Sequence, residues 1–448
     1  MTDQVRQRAR PRVTIGLALL AFLPCLSRAG APDESLVRAI RNGDEATVRT
    51  LLAGRADPNH RLPDGSTPLA WAVETQNRGI VRLLLDAGAK PNNAGAASMT
   101  PLIVGCQYGD AAILEMLLTA GADVKIARAD GIAPLAICAG NAPPAILERL
   151  IAAGAEVDKA DDQGQTPLMR AAANGRIDNI QLLLARGASV NRKTAKGFTP
   201  LMFALKSGVP GAPAAVFEAG GDADYIAADG TSIVQLAMYQ NAYDFAARMI
   251  DRGADLEAFD RNGNQLLHAA ILADQPSLVQ QLLAKGADVN ATTGPAKVKM
   301  QFEVNFKAGD YEVPPKSPLL LAAERGFAGA MRMLVDAGAD TKFRTDDGTN
   351  IVLAAATSGK LAALDLALRL EPDPNTTTSS GQTPLHLLLG GDAGAETAAM
   401  MRLLADKGAR IDIRNHVGRT PADFAKEAQT EMKMAFDSTF ADRTVSKL

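Results

Sequence analysis

The chain has 448 residues, enough for two or three ordinary globular domains unless an internal repeat makes it one quasi-linear array. Its apolar share is 47% and its aromatic share only 4%, so the core material is Ala, Leu, Val and Ile, which suits closely stacked helices. A formal charge of −3 argues against a nucleic-acid backbone as the main partner.

At the N-terminus, Arg6, Arg8, Arg10 and Arg12 precede the apolar run VTIGLALLAFLPCL, and small residues follow in SRAGA. Basic, apolar and small, in that order, is the pattern of an export signal. The apolar run is shorter than the roughly 20 residues of a membrane span. The expectation is a signal peptide over residues 1–29, cleaved after Ala29, and a periplasmic or secreted chain with no membrane insertion after cleavage. The alternative is a chain anchored in the membrane by an uncleaved leader. Without the leader, 42 basic residues face 49 acidic ones, a formal charge of −7. At the other end Ser446, Lys447 and Leu448 match a peroxisomal address, a three-residue signal that conflicts with the leader.

From residue 63 onward one phrase recurs. Its first residue is Thr67, Thr100, Ala133, Thr166, Thr199, Ser232, Gln265, Ser317, Asn350, Thr383 and Thr420, at steps of 33 six times, then 52, 33, 33 and 37. A closing glycine keeps the same beat from Gly88 to Gly408. In the unit DQGQTPLMRAAANGRIDNIQLLLARGASVN, the Thr166 hydroxyl caps a helix whose first position, Pro167, has no N–H to lose. Leu168, Ala171 and Ala172 give that helix its apolar face, and Gly175 ends it. Ile177, Ile180, Leu183 and Leu184 then mark a second helix stopped by Gly187. A finger follows and turns at Gly197.

Helix, turn, helix and finger in 33 residues, opened by TPLxxAA, resembles the ankyrin repeat. The likeness is carried by DGSTPLAWAVE, DQGQTPLMRAAANG, GNQLLHAAI and GQTPLHLLL, and covers about nine-tenths of the chain. It implies an all-α solenoid with β-hairpin fingers, of about 11–12 helix-turn-helix units. Residues 33–62 read as an N-terminal capping repeat with Val37, Ile40, Val48, Leu51 and Leu52 inside. The array runs over 63–290 and 316–415, and 416–448 form a C-terminal capping repeat and tail. Pro210 and Pro213 shorten one second helix, and four extra residues fall around GGDAGAE, 390–396.

Residues 291–315 break the pattern. Val298, Met300, Phe302, Val304 and Phe306 alternate with polar residues, the period of a strand, so an inserted β-hairpin finger is expected. Two readings stand for its apolar edge: it lengthens a neighbouring finger, or it offers a strand to a partner.

Catalytic chemistry is hard to place. No nucleophile elbow, phosphate loop, dinucleotide fingerprint or metal-ligand spacing occurs, and no catalytic, metal or cofactor-binding residue is assigned. The chain is read as non-enzymatic, with no cofactor. His268 and His386 share one place in the repeat, where the family ties a finger to its neighbour, and are read as structural. Cys106 and Cys138 lie in the first helices of adjacent repeats, an arrangement that admits a disulfide in an oxidising compartment. Helix axes about 8–10 Å apart, set against the roughly 4.4–6.8 Å between bridged Cα atoms, favour two small buried thiols instead.

The resemblance also places a recognition surface on the finger tips and the outer ends of the first helices. Helical positions seven and eight after the cap include Glu74, Tyr108, Lys206, Tyr239, Glu324 and Thr357, and Phe198 stands at the finger position just before a cap. Tyr108, Phe198 and Tyr239 are the aromatic residues of this row, the type that dominates binding hot spots. With Lys206, and with Phe302 and Phe306 of the insert, they form the expected protein-binding set. The partner is another protein of unknown identity, bound by a monomeric chain. The alternative function is a structural or protective accessory of an envelope enzyme or redox protein, engaged through residues 297–313.

Overall fold

The sequence unit at Thr166 folds as its chemistry dictates. Thr166 is extended, at φ −97 and ψ 165, and its hydroxyl accepts a hydrogen bond from the Met169 N–H at 3.3 Å, satisfying one of the orphan amides of the helix Pro167–Ala173. The chain reverses at Gly175, in the left-handed region at φ 63, and enters the second helix, Ile177–Ala185. Leu168, Ala171, Ala172 and Leu183 are fully buried, as the helical spacing requires.

The computed structural model describes residues 32–295 and 314–444, which contain twelve helix pairs of this kind. They form two compact units, one described from 32 to 223 and the other from 224 to 444, with six pairs in each. Within each unit first helices stack on first helices and second on second, so an apolar core runs along the stack. In the N-terminal end repeat Leu36, Val37, Ile40 and Val48 are buried, whereas Leu51 and Leu52 are half-exposed. The C-terminal end repeat closes with Thr430–Thr444, which buries Met432, Phe436 and Phe440. The proline-rich second helix spans Gly211–Glu218, eight residues against nine in its neighbours, and 391–396 link Pro384–Gly390 to Thr397–Asp406.

The fingers depart from expectation. No strand forms among the described residues, and a single isolated bridge joins Ile226 to Ser232. The typical finger is instead a tight turn closed by two backbone bonds, such as Thr194 N–H to Phe198 O at 3.0 Å and Gly197 N–H to Thr194 O at 2.9 Å, too short to build a ladder. Asparagines tie successive fingers together. Asn191 donates to Gly220 O at 2.9 Å and accepts from Asp222 N–H at 2.8 Å, and Asn59, Asn92 and Asn375 make the same pair of bonds to the repeat that follows each of them.

The insert leaves this clip intact. Asn290 donates to Gly338 O at 3.4 Å and accepts from Asp340 N–H at 2.7 Å, so the repeats on either side of the extra residues remain in register. Thr293 and Lys316 close its base, with Thr293 N–H to Lys316 O at 3.0 Å and Lys316 N–H to Thr293 Oγ1 at 2.9 Å. The expected hairpin, with Phe302 and Phe306, lies outside the described residues.

The reading of Cys106 and Cys138 as free thiols is corrected. They form a disulfide with Cα atoms 4.5 Å apart, both side chains fully buried. An axis-to-axis distance overstates the gap, because each facing Cα stands about 2.3 Å off its helix axis towards the other.

Candidate protein-binding surface

In the N-terminal unit the first helix Pro101–Tyr108 ends with Tyr108 at the surface, 47% exposed. Its hydroxyl donates to Glu74 Oε1, at the end of the preceding first helix, at 2.8 Å. Partial burial and the Glu74 carboxylate push the phenol up to about 12, so it stays a neutral donor at physiological pH. The bond fixes the ring while leaving much of its surface open. Phe198 sits on a finger, 44% exposed, with its ring edge-on to Phe203 at 6.2 Å between centroids. Lys206 ends the helix Pro200–Lys206 and is exposed.

In the C-terminal unit Tyr239 is placed differently. It is half-buried, and its hydroxyl donates to the carboxylate of Asp260, a fully buried finger residue of the next repeat. Burial and that carboxylate push its phenol well above the ordinary value. Asp260 also accepts the N–H groups of Asn262 and Asn264 at 2.8 Å each, which shapes the finger turn. Tyr239 therefore ties two repeats together, and its removal would disturb the fold as well as any contact it makes. The exposed apolar residues Ile226 and Phe259, at 48% and 41%, recur at one finger position 33 residues apart and were not singled out from the sequence.

The two histidines tie fingers, as expected. His386 Nε2 donates to Arg419 O at 3.1 Å, and its Nδ1 accepts the Thr383 N–H at 3.1 Å. His268 donates in the same way to Lys316 O at 3.2 Å, but its buried Nδ1 has no partner, since Gln265 stands where a capping threonine would be. Burial holds both imidazoles below the ordinary 6.5.

A groove of about 360 Å³ crosses three consecutive repeats of the C-terminal unit. Its walls include Lys316, Glu324, Asp347, Ser379, Ser380 and Gln382, and Leu320, Leu353 and Leu387 also line it. Glu324 and Thr357 belong to the recognition positions expected from the sequence. The finger residues Asp347, Ser379 and Ser380 were missed, because a groove made where large side chains are absent has no aromatic signal to mark it. Among the described residues no group of three or more His, Cys, Asp or Glu is placed to hold a metal ion, and no helix is long and apolar enough to cross a membrane.

A family profile described as ankyrin repeats, three copies, matches residues 36–128, 135–216, 214–293 and 319–415, leaving out most of the insert. The dauer abnormal formation protein 25 of Caenorhabditis elegans is 31% identical over 114 residues, which span 25% of this chain and 29% of that protein. The profile covers most of the chain and each matched stretch carries stacked helix pairs, so this chain belongs to the ankyrin-repeat family.

Proposed function

We propose that the chain is a non-enzymatic scaffold that binds another protein along the surface formed by its finger tips and the outer ends of its first helices. Ankyrin repeats are in general protein-protein interaction modules, and the family is typically non-enzymatic. The observation that carries the reading for this chain is Tyr108, an aromatic ring 47% exposed and held in place by Glu74. A pre-positioned aromatic loses little conformational freedom on binding. Phe198, 44% exposed in the same unit, adds a second ring.

The place of action in this reading is an exported, periplasmic or secreted, compartment, with the chain acting as a monomer. The leader pattern of residues 1–29 supports export, and so does the Cys106–Cys138 bridge, since disulfides persist where the environment is oxidising.

The test is capture from an envelope extract of the protein's own organism with the wild-type chain and with Tyr108→Ala combined with Phe198→Ala. Loss of one stoichiometric partner with an unchanged circular dichroism spectrum is the expected result. Failure of the wild-type chain to capture any partner, in an extract shown to be competent, counts against the scaffold.

A further inference from the structure

The groove of the C-terminal unit has a chemistry of its own. It exists because side chains are small on the first helix Ile351–Thr357, where Ala354 and Thr357 line it, and on the finger of the next repeat, which reads TTTSS over 376–380. Three charged residues line it, two acidic and one basic. Lys316 Nζ binds Glu324 Oε2 at 2.6 Å. Asp347 receives the Thr345 hydroxyl and the Thr349 N–H at 3.1 Å, both neutral donors. Excess negative charge therefore sits at Asp347, beside hydroxyls and an amide from the neighbouring finger.

We propose that this groove docks an extended segment of the partner protein that sets one lysine or arginine beside Asp347 and lays hydroxyl- or amide-bearing neighbours against Ser379, Ser380 and Gln382. The inference rests on the protein-binding reading and narrows it to one groove and one peptide chemistry. A volume of about 360 Å³ falls at the small end of the roughly 300–1,000 Å³ usual for ligand sites. That volume accommodates a long side chain with its flanking backbone. The aliphatic stem of a lysine or arginine lies along Leu353 and Leu387, and its charged head makes a charge-assisted hydrogen bond to the carboxylate.

The experiment selects a random dodecamer phage library on the full chain and measures the recovered peptides by fluorescence anisotropy at low and high salt. The expected peptides share one basic position, bind more weakly as salt rises, and lose about tenfold in affinity to Asp347→Asn. Ser380→Arg, which supplies the cation from the protein side at an exposed position, gives a similar loss, while Glu148→Gln on a second helix of the N-terminal unit changes nothing. Peptides without a basic residue, or an unchanged affinity for Asp347→Asn, overturn the proposal. Binding seen only after deletion of residues 297–313 also overturns it, in favour of that segment as the groove's occupant. If Asp347→Asn still captures the envelope partner at full strength, the groove assignment fails while the scaffold stands. If the wild-type chain captures nothing, the scaffold reading fails first.

Discussion

Two first helices, Pro134–Asn141 in the N-terminal unit and Leu266–Leu272 in the C-terminal unit, start without the side-chain cap that every other first helix from Pro68–Glu74 onward receives. Ala133 and Gln265 stand where threonine, serine or asparagine caps the rest. The losses are offset in different ways. Cys138 ties the first of these helices covalently to the preceding repeat. The second is held by polar groups reaching across repeats: His268 to Lys316 O, Gln235 to Asn264 O at 2.8 Å, and Tyr239 to Asp260. In a repeat array a weak local start is made good by ties to neighbours, and the chemistry of the tie decides which change of conditions loosens it.

Removing the covalent tie should have the largest effect. Cys106→Ala with Cys138→Ala releases a crosslink spanning 32 residues, and chain-entropy arguments put its contribution at about 3–4 kcal/mol. Urea unfolding followed by hydrogen exchange should show the loss concentrated near residues 101–152, with the helices of 266–284 unchanged. A uniform loss in both units would end the contrast.

Asp260→Ala attacks the polar tie. It strands the N–H groups of Asn262 and Asn264 and the Tyr239 hydroxyl, and should cost about 1–3 kcal/mol. Reductant should leave protection within the C-terminal unit unchanged in this variant, as in the wild type, which separates the two devices.

Restoring the cap sharpens the comparison from the other side. Gln265→Thr supplies an N-cap hydroxyl and reproduces the Thr383–His386 arrangement around the orphaned His268 Nδ1, so a gain of about 1 kcal/mol is expected in chemical denaturation. Ala133→Thr should gain a similar amount. No gain from either would mean that the ties already supply all that the cap would.

The smallest expected effect is a histidine-driven pH dependence near neutrality in the C-terminal unit. Burial lowers the folded pKa of His268 and His386, so below about 6.5 the unfolded chain binds protons first. Stability is full above that value and declines as pH falls towards each folded pKa. Hydrogen exchange at pH 7.5 and 5.5 should show protection lost around 266–272 and 384–390, and protection unchanged there would refute the assignment.

Much of the fold was legible because it is local. Thr166 with Pro167 starts a helix, Gly175 and Gly197 sit at φ 63 and 81, and Leu183 is buried, each as its immediate neighbours require. The role of the two histidines was legible as well, through their shared place in the repeat. The binding surface was read less completely. Tyr108 and Phe198 lie open where the repeat register puts them, but Tyr239, seven residues after its cap where Tyr108 is eight, is half-buried, and Asp260 of the next repeat captures its hydroxyl.

The amino-acid string thus set the period, the helix starts and stops and the residues facing the core, since capping, glycine turns and 3.6-residue spacing act within a few positions of the chain. Contacts across repeats were settled by stacking. Cys106 reaches Cys138, Asn290 clips Gly338 across the insert, and side chains from three repeats border one groove. Those outcomes depend on distances between helices and fingers about 30–50 residues apart, which vary by an ångström or two with the size of the side chains between them, and no local pattern records that spacing.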